Sequence, residues 1–164
     1  RVLRDCVARF PTYAPARADL GDLLADLSRI DEALAVLAEA VRVDPACAEA
    51  HLARAAAFTG AGKLDEAAAA FAEFSRLSPP TGESEYRRGQ FFRAKHAPQE
   101  ALDAFRRALS LEPERLPALY GISLSLRDLG LEPEADAALA AFRKAEEERR
   151  SRGHGAKPAP SPPK

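Results

Sequence analysis

The chain has 164 residues, 46% hydrophobic and 30% charged, with a formal net charge of -1. That balance excludes a global electrostatic drive towards nucleic acid. The two cysteines, Cys6 and Cys47, are too few for a disulfide framework, and no apolar run reaches the length of a membrane-spanning helix.

In chain order, residues 1–13 read as the second helix of a partial preceding repeat. Leu3, Cys6 and Pro11 stand 34 residues ahead of Leu37, Ala40 and Pro45. The chain is therefore expected to continue a longer array. Residues 14–47 hold the first complete unit, with two helical patterns. Leu20, Leu24 and Leu27 share one side of the first, and Ala33, Leu37, Ala40 and Val41 share one side of the second. Pro15 suits a first helical turn, which leaves its N–H groups unbonded anyway. Asp31 and Glu32 put acids at the positive end of the second helix, and Pro45 stops it.

Residues 48–81 repeat the plan, with Gly60 and Gly62 at the inner turn. Phe74 takes the slot that Ala40 holds, and its ring is expected to pack towards Gly89. Residues 82–115 follow with Lys95-His96-Ala97-Pro98 at the inner turn, Pro98 opening the second helix and His96 exposed. Residues 116–152 form a fourth unit without a closing Asp-Pro, so its last helix should be extended. Phe142 occupies the usual alanine slot there. Residues 153–164 are rich in proline and glycine and read as a flexible tail.

The register between units is strict. Pro45, Pro79 and Pro113 are 34 residues apart, as are Ala33, Ala67, Ala101 and Ala135. Leu37, Phe71, Phe105 and Leu139 keep the same step, and so do Leu24, Phe58, Phe92 and Leu126. A fixed period of this length means helix pairs stacked in one dimension, each burying its apolar side on its neighbours.

The pattern L-G-x-x-L, then E-A-x-x-x-L/F-x-x-A, then D/E-P, resembles the tetratricopeptide repeat (TPR) family over about five-sixths of the chain. The resemblance implies an all-α, right-handed superhelical solenoid of antiparallel helix pairs. It also implies a concave face lined by the first helix of each unit, on which a protein partner lies. Carried over slot by slot, the groove would include Asp19, Asp22 and Asp26 from the first unit and Leu52 from the second. The third would give Tyr86, Arg87, Gln90 and Arg93, and the fourth Tyr120, Leu124 and Arg127. Those residues grade from acidic to small and apolar to tyrosine with arginine. An extended peptide with an acidic or carboxylate end near the third and fourth units would suit them, because arginine holds a carboxylate in bidentate fashion. Neither the lysine nor the asparagine of the family's chaperone-tail clamp is present, and the chain contains no asparagine.

Chemistry of the chain's own is not expected. There is no glycine-rich phosphate loop, no G-x-S-x-G and no H-E-x-x-H. His51, His96 and His154 fall on a first helix, a turn and the tail, too scattered to hold a metal. No cofactor is implied. Arginines are interleaved with glutamates, which argues against a phosphate-tracking stripe. Few cysteines slightly favour the cytoplasm. The expected role is a scaffold or adaptor that binds a protein or peptide. The alternatives are an accessory domain positioning substrate for a larger enzyme, and a self-assembly module joined through uncapped ends.

Overall fold

The computed structural model describes Val7, Arg9 and residues 12–154. The expected partial repeat at residues 1–13 falls almost wholly outside these, as do Cys6 and the tail beyond His154. Between Ala14 and His154 the chain forms eight α-helices: α1 (Ala14–Asp26), α2 (Ile30–Val43), α3 (Ala48–Gly60), α4 (Leu64–Leu77), α5 (Gly82–Ala94), α6 (Pro98–Leu111), α7 (Leu116–Asp128) and α8 (Glu132–His154). They associate as four hairpins, α1/α2, α3/α4, α5/α6 and α7/α8, stacked in sequence order into an all-α solenoid.

The turn inside each hairpin explains the pairing. Ser28, Gly62, His96 and Gly130 have φ of 59°, 71°, 56° and 76°, the left-handed conformation. The next residue reaches back to the helix: the N–H groups of Arg29, Lys63, Ala97 and Leu131 donate to the carbonyls of Leu24, Phe58, Phe92 and Leu126 at 2.8, 2.9, 2.9 and 2.9 Å. This is the Schellman closure, which satisfies carbonyls that a helix end leaves without partners. Gly62 meets its backbone requirement directly. Ser28 and His96 meet it at some steric cost. Pro98 opens α6, as its fixed φ and missing N–H favour.

Packing follows a large-on-small rule. Leu37 lies over Gly21, and Phe105 lies over Gly89 of its own hairpin and Gly121 of the next. A Cβ placed on Gly89 would sit 2.5 Å from Phe105 Cε1, and one on Gly121 would sit 2.6 Å from its Cζ. The ring lying nearest a Cβ on Gly89 is that of Phe105, where the spacing points to Phe74. Phe74 is buried, on α4. Leu27 also departs from expectation. It follows the last residue of α1 and is 59% exposed, because the turn begins one residue before the apolar pattern ends.

The buried residues form three clusters rather than one. The first joins α1, α2 and α3 around Leu37, the second joins α3, α4 and α5 around Phe71 and Phe91, and the third runs from α5 to α8 around Phe105. Phe71 and Phe91 meet at 5.4 Å between ring centroids, so aromatic rings fill the junction between the second and third hairpins. At the far end α8 spans 23 residues, and Phe142 rests on Tyr120 with 5.6 Å between centroids.

Candidate partner-binding groove

Ala25 of α1 and Ala56 and Gly60 of α3 are small where they face the groove, which leaves space between these helices and α5. A cavity of about 680 Å³ opens between α1, α3 and α5, lined by Asp22, Ala25, Asp26, Ile30, Ala56, Thr59, Gly60, Glu83, Tyr86, Arg87 and Gln90. A smaller cavity of about 160 Å³ adjoins it, lined by Ala18, Asp19, Asp22, Glu49, Leu52, Ala53, Glu83 and Arg87. The two share Asp22, Glu83 and Arg87.

Those shared residues form a strut. Arg87 Nη1 and Nη2 donate to Asp22 Oδ1 and Oδ2, each at 2.6 Å. The pair joins α1 to α5 past α3, where Ala53 and Ala56 are too small to intervene. Arg87 Nε also donates to Glu83, one helical turn back on α5. Arg115 donates to Glu83 as well, and its Nη2 donates to Glu112 Oε2 at 2.6 Å. The result is a chain of alternating charge, Asp22–Arg87–Glu83–Arg115–Glu112. Burial opposes the charge on Arg87, but the bonds to Asp22 and the charge of Glu83 outweigh it and hold the guanidinium more firmly protonated than usual. The bond from Arg115 pulls the Glu112 carboxyl below its ordinary range. Burial, then the charge of Glu83, pushes the Tyr86 phenol up.

Seven of the eleven residues expected to line the groove meet on these two cavities: Asp19, Asp22, Asp26, Leu52, Tyr86, Arg87 and Gln90. Gln90 Nε2 donates to the Tyr86 hydroxyl at 3.0 Å, fixing that hydroxyl at the rim. The other four lie elsewhere. Arg93 lines a separate cleft with His96, Ala97, Pro98 and Asp128. Its Nε stands 3.6 Å from Asp128 Oδ2 and is buried without a hydrogen bond. Arg127 lies 3.4 Å from both Glu132 and Asp136, Tyr120 is half-exposed against Phe142, and Leu124 is half-buried. Sequence reasoning missed Arg115. It stands last in its unit, 32 residues from Glu83, and no helical periodicity relates the two.

The remaining candidate groups serve the fold. His51 is buried, and its Nε2–H donates to the Pro45 carbonyl at 2.9 Å, tying the α2–α3 loop to α3. His96 occupies its turn. Cys47 is 4% exposed, and burial pushes its thiol up. Among the described residues, no group of three or more His, Cys, Asp or Glu side chains could hold a metal ion, and no helix is long and apolar enough to cross a membrane.

Residues 18–80 match the family model of the tetratricopeptide repeat, a span that takes in most of the first hairpin and all of the second. The chain has a TPR-like fold of paired antiparallel helices. No curated protein matches its sequence. Solved structures do match its fold. The crystal structure of YrrB, described as a TPR protein with an unusual peptide-binding site, superposes with a TM-score of 0.65 at 20% identity, covering 90% of this chain and 76% of that one. MamA superposes with a TM-score of 0.70 at 20% identity, covering 91% and 87%. PilF of Pseudomonas aeruginosa gives 0.72 at 19% identity, covering 82% and 61%. At such identities the likeness establishes the architecture of this TPR-like domain and nothing of its partner.

Proposed function

We propose that this TPR-like domain is a non-catalytic scaffold that holds a protein partner, as an extended peptide or a helix, in its concave groove. The observation that carries the reading is the cavity between α1, α3 and α5, with a small-residue floor and polar walls held by the Asp22–Arg87 strut. Concave sites with a few fixed polar groups are where proteins bind ligands. YrrB, of the same fold, is described as having a peptide-binding site. A photo-crosslinking side chain at Ala56, on the cavity floor, should capture a partner protein in cells. The same group at Glu73, exposed on the outer helix α4, should not. Equal capture at both positions rejects the groove.

The finer part of the reading places an acidic or carboxylate end of the partner near Arg93 and Arg127. Their present ion pairs, at 3.4–3.6 Å and partly exposed, are of the weak surface kind that an incoming carboxylate can exchange. Replacing both with alanine should weaken partner binding roughly tenfold or more, measured by titration. Unchanged affinity removes the carboxylate end from the reading. Self-association is the second reading, favoured by the outer face of α8, where Ala137, Ala140 and Ala141 are exposed. A mass in solution that stays at the monomer value of 17.7 kDa as concentration rises rules it out.

A further inference from the structure

We infer that the partner inserts a cationic side chain, a lysine ammonium or an arginine guanidinium, into the cavity between α1 and α5, beside Asp22 and Asp26. This rests on the groove reading and gives its occupant a chemistry at the end away from Arg93 and Arg127. The cavity is lined by three carboxylates, Asp22, Asp26 and Glu83, against one guanidinium, Arg87. That guanidinium is already committed, with both terminal nitrogens on Asp22 and Nε on Glu83. Glu83 is further neutralised by Arg115. Asp26 receives no bond from either arginine. It stands one turn beyond Asp22 on α1, so the two carboxylates face the same space.

A cation between them completes the alternation of charge that the strut begins. Each Asp22 oxygen accepts one bond from Arg87 and retains a second lone pair, so the strut need not break. The aliphatic stem of a lysine or arginine finds Ile30 and the Tyr86 ring on the walls. Room is ample, since the cavity of about 680 Å³ falls in the range of ligand sites. The adjoining cavity adds Asp19 and Glu49, which extends the negative field along the groove and repels an acidic segment there.

Fluorescence anisotropy with two labelled octapeptides tests this, one alternating alanine with lysine and one alternating alanine with glutamate. The lysine peptide should bind at about 50 mM salt and weaken as salt rises, and the glutamate peptide should not bind. Asp26→Asn should weaken the lysine peptide about threefold or more, and Asp22→Asn with Asp26→Asn by about tenfold or more. Glu39→Gln with Glu73→Gln makes the same change in net charge on the outer helices and should leave binding within about twofold. Equal loss in the outer-helix variant overturns the inference, because attraction is then a matter of net charge alone. A lysine peptide that binds no tighter than the glutamate peptide also overturns it. If crosslinking from Ala56 still captures a partner in that case, the groove reading survives and only the cation is lost; if Ala56 captures nothing, both fall.

Discussion

Ser28 and His96 hold backbone angles that glycine holds at the equivalent turns, Gly62 and Gly130. A side chain in the left-handed region costs about 1–2 kcal/mol, partly offset by the smaller entropy its chain loses on folding. His96→Gly and Ser28→Gly should therefore each stabilise the domain by roughly 0.5–1 kcal/mol, seen as a higher urea midpoint. Tyr86 gives a pH test. Its phenol is raised in the folded state by burial first and by Glu83 second. The stability it contributes is complete below the ordinary phenol value and is lost as pH climbs through the raised one. Unfolding midpoints should fall on the alkaline side, and Tyr86→Phe should flatten that fall. Most of this was legible in the sequence only in part. The turn positions were visible from Gly60, Gly62 and Pro98, but the left-handed φ of His96 was not, because histidine does not announce it.

At the scale of the helix, α5 carries the best-defined start. Thr81 and Ser84 form a reciprocal capping box, the Ser84 N–H donating to Thr81 Oγ1 at 3.1 Å and the Thr81 N–H to Ser84 Oγ at 2.8 Å. Thr81→Ala should cost about 1 kcal/mol and loosen α5 first, which hydrogen exchange of its first-turn amides would show. Gly89→Ala should cost about 1–3 kcal/mol, because Phe105, only 1% exposed, has nowhere to retreat. The helices and their apolar faces were plain from the 34-residue step in the sequence, since local periodicity alone dictates them. Which ring meets which glycine was not. Phe74 and Phe105 both stand at helical spacing from their neighbours, and only the lateral offset of the stacked helices decides between them.

For the whole molecule, three successive apolar clusters connect neighbouring hairpins, while the Asp22–Arg87 pair connects the first hairpin to the third. Asp22→Asn should lower stability by about 1 kcal/mol at low salt, and by less near 1 M NaCl, because the pair is partly open to screening. The seven groove residues that converge were readable because slots within a unit map to one face. The strut itself was hidden. Its partners are 65 residues apart, and nothing in a one-dimensional pattern says that superhelical curvature brings them to 2.6 Å. Linear repeat arrays ordinarily tolerate gain or loss of a unit, since every joint resembles every other. Here a tie skips over the middle unit, so duplicating or deleting that unit would separate an acid from its base even with every adjacent joint intact. A change of copy number in this stretch therefore forfeits that one bond across the array.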